Sequence, residues 1–288
     1  FAELRNGGYL YVDKTQAIQR LLTASKYYFL SRPRRFGKSL TLSTIKYIYQ
    51  GKRELFQGLW IEEQWDWNKV QPVIHLSFSS IGYRELGLEE SIRQELARIG
   101  TIQGIIYSQQ TSVAIMFQEL IQQLAVHAKV VLLIDEYDKP LMDYLDDMPL
   151  AKANQRIMKT FYSVIKDSDP YLEFMLITGV SKFSKVSVFS DLNHLYDLSF
   201  RRESAALVGY TQTELENYFA PYLQEAQEQL GLNHSELLDQ VRIWYNGYSW
   251  DGRTRVYNPF SILSFFRSNE FSNFWFETGT PNFLPKLM

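Results

Sequence analysis

Residues 130–134, VVLLI, set five apolar side chains in a row before the chain turns to Asp135 and Glu136. A strand with one wet face would alternate apolar and polar residues. An unbroken apolar run of this length suits a strand buried on both faces of a parallel sheet. In open α/β sheets, ligands lie at the carboxyl ends of the strands, so the two acids are expected at a crevice.

A second segment converges on the same expectation. Residues 31–39 read SRPRRFGKS and follow the apolar run YYFL at 27–30, so a strand is predicted to empty into a Gly-Lys-Ser turn that opens a helix. Such a bend points backbone N–H groups inward, and the helix adds its positive end, which together hold polyphosphate. The expected cradle is Arg34, Arg35, Phe36, Gly37, Lys38, Ser39 and Leu40. Lys38 would set a mobile charge over the outer phosphates, and the Ser39 hydroxyl would ligate magnesium. The pattern G-x-x-x-x-G-K-[ST] would want glycine at Arg32, the residue best able to take a positive φ there. Pro33, Arg34 and Arg35 stiffen and charge the loop instead.

With that loop upstream, the acids take separate roles. Asp135 would hold magnesium, usually through water, and Glu136 would polarise a water that attacks phosphorus. Asp138, in the same turn, is expected only to be solvated. A third apolar run, FMLIT at 174–178, leads into GVSKFSK. Thr178 or Ser181 would bond the terminal phosphate, and Lys182 or Lys185 would neutralise developing charge. The blander readings are an ordinary helix start, acids that cap a strand, and solvated loop lysines.

Strand 73–78 and helical spacing at 13–25, 38–50, 88–99, 112–128 and 151–166 alternate as α/β units do; 194–199 reads as a short further helix. After Ser199 helix signals dominate. Thr211 and Glu214 have capping-box spacing, Pro259 follows Asn258 as at a helix start, and Asn246-Gly247 marks a turn between helices or in a small hairpin. Aromatic residues 244–250 read as core of this part rather than a base-stacking surface. The 288 residues carry 45% hydrophobic side chains and a net charge of −2, enough for a large core and without global attraction to nucleic acid or anionic membrane. Cysteine is absent, which excludes disulfides and cysteine metal sites and fits a cytoplasmic protein. No apolar stretch approaches a membrane span. The four histidines never stand at metal-ligand spacing. The start, FAELRNGG, has no methionine or signal-peptide core, and the expectation is a piece of a longer protein.

These motifs, with YVDKT at 11–15, LIDEYDKPL at 133–141, ITGVSKFSKVSVFSDLNHLYDLS at 177–199, GYTQTEL from Gly209, WYNGYSW from Trp244, VYNPFSIL from Val256 and the closing WFETGTPNFL, resemble the AAA-ATPase-like family of P-loop proteins related to archaeal-type and signal-transducing ATPases. The resemblance implies a P-loop NTPase fold: a mostly parallel central sheet flanked by helices over 1–205 and a smaller, mainly helical, winged-helix-like lid over 206–288. It implies the strand at Ile177 between those at Leu30 and Ile134, Thr178 beside Glu136, and Tyr11 and Asp13 on the adenine side. Family members tend to carry arginine at the place of Arg32.

The expected activity is hydrolysis of Mg-ATP by a module that moves its lid, with ATP preferred over GTP by resemblance alone. Two alternatives stand: a nucleotide-gated switch with negligible turnover, and a nucleic-acid-binding module using the basic loop at 32–35. Arg201 or Arg202 would supply a charge-stabilising finger to this or a neighbouring subunit's site. A homo-oligomer and a PD-(D/E)XK nuclease-like domain outside this chain are the partners the resemblance suggests; nowhere does an acid precede a lysine by two positions, so nuclease chemistry would have to lie elsewhere.

Overall fold

A computed structural model of the chain describes residues 1–108, 112–182, 188–189, 192 and 194–279. Five strands, β1 Tyr27–Ser31, β2 Val73–Ser77, β3 Val130–Asp135, β4 Leu172–Gly179 and β5 Tyr196–Asp197, form one parallel sheet in the order β2-β3-β4-β1-β5. The apolar run at 130–134 explains why this sheet is central. Val130, Leu132 and Ile134 point into one hydrophobic cluster, and Val131 and Leu133 into another on the opposite face. β1 divides the same way, Tyr27 and Phe29 to the first cluster, Tyr28 and Leu30 to the second.

Helices Leu88–Gln103, Val113–Leu124 and Met148–Asp167 cover the first face, where Phe117 stacks on Phe161 with ring centroids 4.4 Å apart. Helices Thr15–Ala24 and Lys38–Tyr49 cover the second. The three layers bury both sides of β1, β3 and β4, so a polar residue on these strands is tolerated only near a strand end. Those ends carry Ser31, Asp135 and Thr178.

Local punctuation shifts the expected helix bounds. Asp147 caps the backbone of Leu150 and Pro149 enters the first turn, so that helix starts at Met148, earlier than the spacing alone suggested. Gly104, at φ 70°, ends Leu88–Gln103 later than expected. Residues 194–199 do not make the expected helix. Tyr196 and Asp197 pair with Tyr28 and Phe29, and the Leu198 amide donates to Phe29 O at 2.9 Å. Six residues are too few to nucleate a stable helix, and the outer ladder of β1 offers them partners.

Helices Gln212–Tyr218, Ala220–Leu230, His234–Tyr245 and Pro259–Ser268 gather around Leu215, Phe219, Leu237, Val241, Tyr245, Ile262 and Phe265. The Thr211–Glu214 capping box and the Asn258 cap before Pro259 form as expected. Asn246-Gly247 joins a helix to an antiparallel hairpin, β6 Tyr248–Ser249 and β7 Arg255–Val256, but is not that hairpin's turn. The bend is made by Asp251, whose carboxylate accepts from the Arg253 and Thr254 amides, and by Gly252 at φ 73°.

Lys14 ties the N-terminal arm to this region. Its Nζ donates to both Glu214 carboxylate oxygens at 2.6 Å and to Ala206 O at 2.9 Å, with side-chain exposures of 11% for Lys14 and 21% for Glu214. Burial pushes the lysine's pKa down while Glu214 opposes the shift. Removing one partner strands the other charge, so Lys14→Ala should destabilise the fold by about 3 kcal/mol, read as a lowered urea midpoint. Lys14→Met combined with Glu214→Gln should recover part of that loss.

Candidate functional site

The loop after β1 is built by backbone geometry that the sequence did not advertise. Arg32 continues the ladder, its amide donating to Gly179 O at 3.1 Å, and its φ is not positive. The left-handed residues are Arg35, at φ 68°, and Gly37, at φ 96°. A glycine at position 32 is therefore not needed for the turn, which corrects the expectation that arginine there is a defect of backbone freedom. Gly37 is where the freedom is used, since nothing lies within 4 Å of the Cβ it lacks.

Nor is Arg32 part of an exposed basic patch. Its side chain is 1% exposed. The guanidinium donates to Ser31 O at 2.9 Å, Ser199 O at 2.5 Å and Ser204 O at 3.2 Å, and lies 4.5 Å from the Trp250 ring centroid. Burial lowers its pKa to about 10, with Asp197 pulling the other way. Phe36, also buried, meets Tyr248 and Trp250 at 4.7 and 5.4 Å between centroids; Trp275 Nε1 donates to Arg34 O at 3.0 Å; and Arg35 lies over Phe260. The loop thus rests on aromatic residues from the C-terminal part.

Helix Lys38–Tyr49 starts at the loop's end and brings Lys38 inward. Its Nζ donates to Arg32 O and Pro33 O, both at 2.9 Å, leaving one N–H uncommitted among the described residues. Burial pushes this ammonium's pKa down, and the negative charges of Asp135, Glu136 and Asp138 counteract it. The acids of β3 and the lysine after β1 therefore share one electrostatic neighbourhood. Ser39 is exposed on the same first turn.

β4 supplies the floor between them. The Thr178 hydroxyl donates to Asp135 Oδ1 at 2.5 Å and its carbonyl accepts from the Tyr137 amide at 3.0 Å, so Thr178 lies against the segment that carries Glu136, with its hydroxyl committed to Asp135. β4 is β3's direct neighbour, and Glu136 leaves the strand in a left-handed turn at φ 52°. No hydrogen bond or ion pair engages the Glu136 carboxylate among the described residues. Asp138, expected to be solvated, is 1% exposed and accepts from the Val180 amide at 3.0 Å and the Ser181 amide at 2.6 Å. It is a functional candidate that sequence reasoning missed, because its partners lie 42 and 43 residues away.

Other candidates fall elsewhere. Lys182 pairs with Asp197 at 3.2 Å and lies 3.9 Å from the Phe200 ring centroid, and Lys185 lies outside the described residues. Arg201 and Arg202 are exposed at the sheet's β5 edge. The Asp13 carboxylate is taken by the Thr15 and Trp60 amides at 2.8 and 2.7 Å. Tyr11, buried with its hydroxyl 3.5 Å from Thr44 Oγ1, lines a cavity of ≈ 310 Å³ with Val12, Phe36, Gly37, Leu40, Val208 and Phe260. This apolar cavity opens beside the loop and the helix start.

Asp135 and Ser39 each carry an oxygen of the kind magnesium would take, an ion that accepts one or two protein oxygens and fills its remaining positions from water and phosphate. No group of three or more His, Cys, Asp or Glu side chains forms a metal cage among the described residues. Among the described residues, no helix is long and apolar enough to cross a membrane.

The family model described as Predicted AAA-ATPase, the AAA-ATPase-like family, matches residues 1–189. The chain is 45% identical over 294 residues to an uncharacterized protein in the vnfD 5' region of Azotobacter chroococcum mcd 1, covering 100% of this chain and 54% of that relative. The chain thus spans about half the length of the curated relative it matches. No solved structure matches it. By the extent of these matches, the chain belongs to the AAA-ATPase-like family.

Asp138 generates a sign that can be measured. Burial raises its pKa from an ordinary 3.8 to about 6, against the pull of the Ser181 and Val180 amides and of Lys38. The folded protein then holds this proton more tightly than the unfolded chain, so the group's contribution to stability falls as pH rises from about 4 to 6. Asp138→Asn removes that slope. Its stability relative to wild type should improve by on the order of 3 kcal/mol across the window, read by urea unfolding at both ends.

Proposed function

Taking family membership as the premise, we propose that the chain binds Mg-ATP at the loop 32–39 and hydrolyses it. The observation that carries this reading is Lys38, whose buried ammonium is fixed by the loop's first two carbonyls and feels three carboxylates at and just beyond the tip of β3. Such a lysine is already aimed, and its remaining N–H is suited to a phosphate oxygen.

The roles follow from position. Amides of the loop and the start of helix Lys38–Tyr49 would hold the phosphates, and Lys38 would neutralise charge as the terminal P–O bond breaks. Ser39 and Asp135 would hold magnesium, which would supply positive charge against the phosphates. Thr178 orients Asp135 by donating to its Oδ1. Glu136, with its carboxylate unengaged among the described residues, would orient the attacking water and accept its proton. The cavity beside Tyr11 is apolar enough to take a flat base, which supports the adenine side of the reading.

We further read 1–205 as the ATPase core and residues from 206 onward as its lid. Support comes from Tyr248, Trp250, Phe260 and Trp275, all of which touch the loop. Self-association and a nuclease-like domain beyond this chain stay proposals carried by the resemblance. Arg32 at the place of the pattern's first glycine is the argument for a turnover-free switch, and a backbone that needs no glycine there weakens it. The nucleic-acid reading loses a charge for the same reason, since Arg32 faces inward.

Calorimetric titration should give saturable Mg-ATP binding to wild type and none to Lys38→Ala. Glu136→Gln should bind as tightly while releasing phosphate roughly 100-fold more slowly. Equal release by wild type and Glu136→Gln would instead favour the switch, and salt-dependent DNA binding that ATP leaves untouched would favour the nucleic-acid module.

A further inference from the structure

The turn after β3 and the loop after β4 are joined by more than the sheet requires. The Tyr137 amide donates to Thr178 O at 3.0 Å, and the Tyr137 hydroxyl to Ser181 O at 2.9 Å. The Asp138 carboxylate answers in the other direction, accepting from Val180 N and Ser181 N. Close approach is possible only because residue 179 is glycine. A Cβ there would stand 2.5 Å from Tyr137 Cε1 and 2.8 Å from Asp138 Oδ1. The same Gly179 accepts the Arg32 amide through its carbonyl, so the clasped loop also touches the start of the phosphate loop.

We propose that Asp138 is a positioning residue, whose carboxylate fixes the loop 179–181 and thereby sets the spacing between the Asp135–Thr178 pair and the phosphate loop. The proposal rests on the ATPase reading for its catalytic consequence and on geometry alone for its structural part. A carboxylate serves here better than an amide because it accepts two backbone N–H bonds and donates none. Both amides meet Oδ2, and Oδ1 also lies 3.3 Å from the Val180 amide, so an asparagine with its oxygen in the Oδ2 place keeps both bonds without the charge that strengthens them and sets its NH₂ against the Val180 N–H, which loosens the clasp. Reaction geometry tolerates little of this, since a displacement of about 1 Å costs on the order of 100-fold in rate.

The test combines hydrogen exchange with steady-state kinetics on the whole chain. In Asp138→Ala, the Val180 and Ser181 amides should lose protection without nucleotide, and kcat should fall roughly 10- to 100-fold while KM for Mg-ATP changes less than about threefold. Asp138→Asn should show a smaller change of both, and it serves where the alanine variant does not fold. Gly179→Ala, which leaves every ionisable group in place, should reproduce the same split. Unchanged exchange at Val180 and Ser181 overturns the proposal whatever the wild type hydrolyses, and so does faster exchange with unchanged kcat. Faster exchange in the variant beside a wild type that neither binds Mg-ATP nor releases phosphate overturns the ATPase reading and the catalytic part of the proposal, leaving the clasp established.

Discussion

A buried ammonium must be compensated, and in this protein the compensation of Lys38 organises everything around it. Two carbonyls of its own loop hold the charge locally, and carboxylates at the tip of β3 balance it across the sheet. That balance is available because β1, β4 and β3 run parallel side by side, so a lysine that follows one strand and acids that end another emerge at the same edge of the sheet.

Arg32 shows how a side chain takes over work usually left to its absence. The position needs no left-handed backbone, so a bulky residue fits, and its guanidinium reaches away from the loop's concave side toward Ser199, Ser204 and Trp250. Its Nε has no hydrogen-bond partner among the described residues. Burying a guanidinium with one donor unmet is costly, and the arrangement persists because several elements close over it together. The loop is thereby anchored at its base by residues that come much later in the chain.

How far the sequence foretold this depended on whether the cause was local. β1, β3 and β4 were legible because each is a continuous apolar run, and strands buried on both faces write themselves that way. The capping box at Thr211 and the Pro259 helix start were legible for the same reason, being fixed within four residues. β5 was not, since two residues pair only because β1 presents an open edge. The inward turn of Arg32, the burial of Asp138 and the choice of Asp135 over Glu136 as Thr178's partner are set by residues far along the chain. Spacing cannot express such contacts. Gly179, at the end of an apolar run, is the sequence signal that the clasp leaves.

Six tryptophans occur in the chain, and two of them touch the loop 32–39, Trp250 through the Arg32 guanidinium and Trp275 through the Arg34 carbonyl. An indole's emission depends on nearby charge and on what its N–H donates to. The protein therefore carries an optical gauge within its own fold: movement of that loop must alter the colour and brightness of these two rings, and the signal needs no added label.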